Sequence, residues 1–173
     1  MRKLALACAA LSPVMLLGGC LGSGTATTSA SAVPSVAPAL AAAAYVAVAS
    51  SLDLYEIRAA QLAMERSTDP ANRAFAQQAL TAHEGTSAQL SMAGRRLNLL
   101  PSATLIPEHQ QMLDALTATS DFDNTYRAQQ KILVREGLAL HESYAKRGDS
   151  PTLRPVAKNA EEVMRRSQQA LPR

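Results

Sequence analysis

From about Leu40 onward, apolar residues recur at spacings of three and four, the period of one face of an α-helix. The second helix is predicted to begin at Asp69-Pro70, an N-cap followed by proline at the first helical position. A short helix is predicted after Pro107, a long helix from about residue 120 and a last helix from about residue 150. The first helix shows the pattern most clearly, with a stripe formed by Tyr45, Val48, Leu52, Tyr55, Ala59 and Leu62.

No strand pattern competes with these helices, because the sequence has no sustained apolar-polar alternation and no Asn-Gly hairpin signal. Four long helices of roughly 20–28 residues would each span about 30–42 Å. Short links between long helices favour antiparallel neighbours. We therefore predict an all-α fold, an up-and-down antiparallel four-helix bundle with one short extra helix, over residues 39–173.

The first twenty residues have the pattern of a secretory signal. Arg2 and Lys3 precede an apolar run over residues 4–17, which is too short for a membrane span of about 20 residues. The run ends in Leu17-Gly18-Gly19-Cys20, which resembles a bacterial lipobox. We predict a lipoprotein signal peptide over residues 1–19 and lipidation of Cys20. The alternative is a plain signal peptide that is cut within residues 26–32.

Residues 20–38 are predicted to be the lipidated Cys20 and a disordered tether. Fifteen of the eighteen residues 21–38 are Gly, Ser, Thr, Ala or Pro, a composition that cannot bury an apolar face. A flexible chain of this length reaches about 23 Å. Leu21 follows Cys20 where an Asp would favour the inner membrane, so by resemblance to enterobacterial sorting we expect an outer-membrane lipoprotein that faces the periplasm. A secreted periplasmic protein is the alternative.

The charge balance depends on whether this signal is removed. The whole chain has 17 Lys and Arg against 14 Asp and Glu, a net charge of +3. Loss of Arg2 and Lys3 leaves 15 basic against 14 acidic residues, a net charge of +1. Near neutrality and an aromatic content of 3% argue against a nucleic-acid partner. Cys8 leaves with the signal and Cys20 carries lipid, so the folded domain has no cysteine chemistry.

Two basic pairs, Arg95-Arg96 and Arg165-Arg166, are predicted near helix C-termini, where the helix dipole favours positive charge. Contact with anionic lipid is a secondary interpretation of these pairs. The expected partner of the protein is the membrane, reached through the lipid anchor.

Three polar side chains lie on or beside predicted inward stripes. His83 shares its helix face with Leu80 and Leu90. Glu56 flanks the stripe of the first helix, and Glu136 lies between apolar residues of the fourth. Because the stripes face one core, Glu56, His83 and Glu136 are predicted to approach one another, as a polar core or as a weak metal site.

Several short motifs carry a family resemblance, the most specific being the run from Phe122 to Tyr126. The other matching pieces are Tyr45-Val46, Leu54-Tyr55-Glu56, Phe75-Ala76 with His83, and the run from Asp149 to Leu153. In these pieces residues 45–171 resemble an exported bacterial family, domain of unknown function 4142 (DUF4142), whose members are often labelled outer membrane proteins. The resemblance implies a ferritin-like four-helix fold and no established activity.

A ferritin-like bundle raises the question of metal. Such bundles often hold two iron or manganese ions with a Glu-x-x-His pair on each of two helices. This sequence has no Glu-x-x-His pair, and Leu80 stands three residues before His83. We therefore predict that His83 is a core histidine bonded to a neighbouring carboxylate or hydroxyl, and we expect no cofactor. The alternative is a weak divalent-metal site.

No motif for nucleophilic catalysis, phosphate binding or dinucleotide binding occurs, so we predict no catalytic residues. The predicted function is that of a membrane-anchored envelope lipoprotein with a non-enzymatic binding, structural or stress-related role. The alternative is a ferritin-like metal-binding or redox protein with a degenerate site around Glu56, His83 and Glu136.

Overall fold

A computed structural model describes residues 40–172 of the chain. These residues form five helices: α1 (Ala42–Arg66), α2 (Pro70–Arg96), α3 (Pro107–Ala118), α4 (Phe122–Arg147) and α5 (Arg154–Ala170). No strand occurs in this part of the chain, so the predicted all-α class is confirmed. None of the five helices has the length and apolar content that a membrane span requires. The signal peptide, Cys20 and the tether predicted over residues 1–38 lie outside the described residues.

Proline marks the start of two helices, as predicted. Pro70 is the first residue of α2, and the Asp69 side chain accepts a hydrogen bond of 2.8 Å from the backbone N–H of Ala71. This cap satisfies an N–H that the helix itself leaves free. Pro107 begins α3 in the same way, at a position where a missing N–H costs nothing.

The last helix begins later than the sequence suggests. Residues 151–153 form a turn, and α5 starts at Arg154 rather than near residue 150. Pro155 lies in its first turn, where proline is tolerated, so it helps to start this helix. As a result α5 has 17 residues, fewer than the length predicted for the four long helices.

The four long helices close into a bundle in which α1 packs on α2 and α4, and α5 packs on α4 and α2. Contacts at its two ends fix the helix directions. Tyr45, early in α1, stacks on Tyr144, late in α4, with ring centroids 3.9 Å apart. Ser67, just after α1, donates a hydrogen bond to Asp123, at the start of α4. We call the end with Tyr45 the proximal end and the end with Ser67 the distal end.

The connection between α2 and α4 is a long crossover. Residues 97–121 return from the proximal to the distal end and contain α3, which packs on α1 and α4. The backbone N–H of Ile106 donates to Ser51 Oγ at 2.9 Å, and Arg66 donates to the carbonyl oxygen of Thr117 at 2.7 Å. Every pair of neighbouring long helices is therefore antiparallel, as predicted. Because α2 and α4 run in the same direction, however, the helix order has the single crossover typical of ferritin-like bundles and differs from the predicted up-and-down order. The other two links are short, as expected.

The apolar core is divided into two clusters. Between them the helices approach closely, since a Cβ built on Gly137 would lie 2.9 Å from the Sδ atom of Met164 and 3.0 Å from the Cδ1 atom of Leu52. The proximal cluster contains Tyr45, Val46, Ala49, Leu90, Ala93, Tyr144, Leu153 and Ala157. The distal cluster contains Tyr55, Ala59, Ala60, Ala63, Phe75, Ala76, Ala79, Leu113, Leu116, Phe122, Tyr126 and Leu133.

Candidate functional site

Buried polar side chains from three helices occupy the middle of the bundle. None of them is more than 4% exposed, so each has given up its contact with bulk water. Burial of a polar group is costly unless a hydrogen bond replaces the lost water. We call this group the polar belt; its members are Asp53, Glu56, His83, Thr86, Tyr126, Gln130 and His141.

One part of the polar belt is a carboxylate on α1 that accepts two hydrogen bonds through one of its oxygens. His83 Nδ1 lies 2.8 Å from Asp53 Oδ1, and the Thr86 hydroxyl donates to the same oxygen at 2.7 Å. His83 and Thr86 are three residues apart on α2, so their side chains point to one side of the helix. Burial lowers the pKa of His83, but the bond to Asp53 and the negative charge of Glu56 outweigh it and the pKa is raised.

A second part joins α1 to α4 near the proximal cluster. The Tyr45 hydroxyl and His141 Nδ1 are 3.0 Å apart. Tyr45 also stacks on Tyr144, whose hydroxyl donates to Asp149 at 2.8 Å. Burial lowers the pKa of His141 to about 4, against the opposing charge of Asp53. His141 is therefore a neutral imidazole at neutral pH, although Nε2 on its other side has no hydrogen-bond partner in the described structure.

The third part of the polar belt contains polar atoms without partners. Both carboxyl oxygens of Glu56, both amide atoms of Gln130 and the hydroxyl of Tyr126 are buried without a hydrogen bond to any described residue. Burial raises the pKa of Glu56, although the nearby His83 and Gln130 oppose the shift. Most buried polar groups in proteins form hydrogen bonds, so a group of buried polar atoms without hydrogen-bond partners is unusual in a protein core.

A further buried histidine holds α3 against α1. Ser51 Oγ lies 2.8 Å from His109 Nδ1 and accepts a hydrogen bond from the backbone N–H of Ile106. Burial lowers the pKa of His109. This histidine lies outside the polar belt and serves to attach the crossover.

The structure brings two of the three predicted candidates together. Glu56 and His83 both lie in the polar belt. His83 is hydrogen-bonded to a carboxylate, which is the arrangement predicted for a core histidine. The prediction for Glu136 is wrong, because its side chain is exposed. The buried stripe of α4 passes through Gly137, and neighbouring residues on a helix point about 100° apart.

Sequence reasoning missed five members of the polar belt, among them its second acid, Asp53, and its second histidine, His141. Asp53 is the first charged residue after Lys3, and the eleven residues of α1 that precede it carry no charge. A helical stretch without charge is expected to be buried on more than one face, which is the signal that the sequence offers. His141 lies four residues after Gly137, a spacing that puts it on the same face of α4.

The polar belt does not fit the dinuclear metal centre of ferritin-like proteins. Within residues 40–172, no three His, Cys, Asp or Glu side chains are arranged to hold a metal ion. The arrangement is that of a buried polar core that is closed to solvent and only partly hydrogen-bonded.

The comparison with known families identifies the domain. The family described as "Domain of unknown function (DUF4142)" matches residues 25–171, a range that includes all five helices. The resemblance found in the short motifs is thereby confirmed. No curated protein and no solved structure matches the chain.

Proposed function

The chain belongs to the DUF4142 family, and we propose that it is an exported bacterial lipoprotein with a non-enzymatic binding or structural role in the cell envelope. The observation that carries this proposal is the sequence Leu17-Gly18-Gly19-Cys20 directly after a basic head and an apolar run. In this proposal Cys20 is acylated and becomes the first residue of the mature chain. Leu21 directs it to the outer membrane.

The residues between Cys20 and the bundle suit an anchor. Residues 21–38 contain no charged side chain, and their only apolar side chains other than alanine and proline are Leu21, Val33 and Val36, while α1 begins at Ala42. Several acyl chains hold a protein far more strongly than one, since each buried methylene contributes about 0.8 kcal/mol. In this proposal residues 21–38 are the tether, and a flexible chain of that length would keep the bundle within about 23 Å of the membrane.

A non-enzymatic role is supported by the closure of the polar belt. A catalytic acid or base has to come within hydrogen-bonding distance of its substrate. Asp53, Glu56, His83 and His141 are each at most 3% exposed, so a substrate would reach them only if the helices separated. We therefore assign these residues to the interior of a binding or structural domain.

The anchor is tested by Cys20→Ser in the producing bacterium, with Cys8→Ser as the matched control. We expect Cys20→Ser to abolish labelling by a fatty-acid analogue and to release the protein from the membrane fraction. Cys8→Ser removes a cysteine that leaves with the signal, so it should keep both properties.

Two outcomes would contradict the anchor. The first is retention of the acyl label by Cys20→Ser. The second is a mature chain whose mass places its first residue within 26–32, which would establish the plain signal peptide and a periplasmic location.

A single divalent-cation site is the second candidate function, and the unpartnered atoms favour it. His83 and His141 are each fixed through Nδ1, by Asp53 and by Tyr45, a pattern common among histidines that bind metal through Nε2. Both oxygens of Glu56 are unpartnered. Since these groups do not form a metal site as they stand, binding would require their side chains to rearrange.

Elemental analysis of the full chain after loading with iron, manganese, zinc or copper tests this candidate. Retention of about one equivalent that is lost in Glu56→Gln but kept in the exposed control Glu136→Gln would support it. Metal far below one equivalent in the parent chain would eliminate it.

A further inference from the structure

Positive charge is concentrated at the proximal end of the bundle. Residues 40–49, 88–100 and 140–158, which form this end, contain six Lys and Arg against two Asp and Glu, a net charge of +4. The remaining residues of the domain, 50–87, 101–139 and 159–173, contain nine basic and twelve acidic residues, a net charge of −3. A domain that is almost neutral as a whole therefore has one strongly basic end.

Four of these basic side chains are free of acidic partners. Lys146 is paired with Glu142 at 2.6 Å, and Lys158 with Glu161 at 3.1 Å. The other four are exposed and form no ion pair with any described residue. They are Arg95, Arg96, Arg147 and Arg154.

The basic side chains surround the link between α4 and α5. Arg96 borders a surface groove together with Pro151 and Pro155. Lys146 and Arg154 border the adjoining groove, which is lined by the same two prolines. The C-terminus of α2 and the α4–α5 link thus form one continuous basic surface, which we call the proximal surface.

Exposed apolar side chains accompany this charge. Among the described residues the exposed large apolar side chains are Met92, Leu100 and Ile132, and the first two lie at the proximal end. Leu100 is 72% exposed, and its neighbour Leu99 packs against the proximal cluster. Basic residues beside exposed apolar ones are typical of surfaces that lie in a membrane interface.

The chain enters the bundle at this same surface. The backbone N–H of Ala42, the first residue of α1, donates to the Asp149 side chain in the α4–α5 link at 3.2 Å. The proposed anchor at Cys20 is therefore joined to the proximal end and not to the distal end. A tether with a reach of about 23 Å can bring this end within a Debye length of the headgroups, about 8 Å at physiological salt.

We infer that the proximal surface docks on the anionic phospholipid headgroups of the membrane that holds the protein. The orientation of the bundle in this inference rests on the proposed lipidation of Cys20. The free arginines supply the contact, because a guanidinium group binds phosphate oxygens through two parallel hydrogen bonds. Leu100 and Met92 lie where the headgroup region begins.

Vesicle co-sedimentation of the processed chain, residues 20–173 with Cys20→Ser, tests the surface without acyl chains. The described members of both apolar clusters join all five helices, so we expect the bundle to fold without acyl chains. We expect at least tenfold stronger binding to vesicles with about 30 mol % phosphatidylglycerol than to pure phosphatidylcholine, and loss of this preference in about 0.5 M salt.

The variant Arg95→Gln/Arg96→Gln should weaken binding to the anionic vesicles by roughly 10- to 30-fold, because each basic residue near such a surface contributes on the order of a fivefold change. The matched control is Lys131→Gln/Arg135→Gln, which removes the same charge from exposed positions of α4. These positions lie about 18 Å or more from the end of α4, beyond the screening length. The control should bind within twofold of the parent chain.

The results that would contradict the proximal surface differ from those that would contradict the lipid anchor. Equal binding to both kinds of vesicle, or an unchanged affinity of Arg95→Gln/Arg96→Gln with unchanged helical circular dichroism, overturns the proximal surface even if Cys20 carries lipid. Equally tight binding of duplex DNA at the same salt concentration also overturns it. Anionic vesicle binding by a chain whose Cys20 is never acylated in cells supports the surface and overturns the anchor.

Discussion

Two acidic side chains lie three residues apart on α1 and are almost equally buried, yet their surroundings are opposite. Asp53 is 3% exposed and accepts hydrogen bonds from His83 and Thr86. Glu56 is 1% exposed, and neither of its carboxyl oxygens has a partner. Burial alone therefore does not determine how a buried acidic side chain affects the stability of the fold. The donors placed around it decide whether it joins two helices through hydrogen bonds or stays unpartnered.

The largest expected difference in the free energy of unfolding is that between Asp53→Asn and Glu56→Gln, which replace each acid with its amide. Asp53→Asn leaves His83 buried without its acidic partner, so we expect a loss of about 3–5 kcal/mol in the free energy of unfolding. Glu56→Gln removes a carboxyl group that has no hydrogen-bonded partner and whose pKa is raised by burial, so it should leave stability at pH 7 unchanged or higher. Urea unfolding of the two variants measures the difference. Equal losses would refute the contrast between the two acids.

The second effect is a pH dependence due to His141. Its pKa is about 4 in the folded protein and about 6.5 in the unfolded chain, so below pH 6.5 the unfolded chain takes up the proton first. The stability contributed by neutral His141 is thus present above pH 6.5 and is lost as the pH falls toward 4. The loss amounts to at most about 3 kcal/mol.

The difference in unfolding free energy between the parent and His141→Gln, measured from pH 7 to pH 4, isolates this contribution from the carboxyl groups. We expect the parent to lose more stability than the variant over this interval. His83 acts in the opposite sense, because its pKa is raised in the folded protein. Its contribution is present below pH 6.5 and is lost as the pH rises through its folded value. If the unfolding free energies of parent and variant change in parallel from pH 7 to pH 4, His141 is not the buried neutral base described above.

The smallest effect distinguishes two buried tyrosines. The Tyr45 hydroxyl lies within hydrogen-bonding distance of His141, so Tyr45→Phe should cost about 1 kcal/mol. The Tyr126 hydroxyl has no partner among the described residues, so Tyr126→Phe should change stability by less than about 0.5 kcal/mol or increase it slightly. Thermal unfolding of both variants checks the pair. A larger loss for Tyr126→Phe would mean that its hydroxyl is bonded in solution.

Most of the fold can be predicted from the sequence because the signals that mark its helices are local. Helix starts at Pro70 and Pro107 follow from the shape of the proline ring, which requires no tertiary contact. The start of α5 was misjudged because Pro151 and Pro155 are both acceptable first-turn residues. Only the packing of the turn at residues 151–153 distinguishes them, through Leu153 in the proximal cluster.

Only part of the candidate site can be predicted from the sequence, for a physical reason. A stripe of period 3.6 identifies residues on a helix with one buried face, and it correctly placed His83 inside the bundle. α1 packs against α2, α3 and α4, so several of its faces are buried and a single stripe could not single out Asp53. On α4 the buried stripe includes Gly137, which the sequence pattern does not mark as buried, so the pattern wrongly predicts an inward position for Glu136.

The crossover between α2 and α4 also has a consequence for the order of folding. The most extensive helix contacts are those within α1–α2 and within α4–α5, and each of these hairpins is closed by a short link. Contacts between the hairpins require closure of the long loop over residues 97–121, which makes them slower to form. We therefore expect the two hairpins to form first and to dock afterwards. Asp53 and His83 would then meet within the first hairpin, whereas Tyr45 and His141 would meet only on docking.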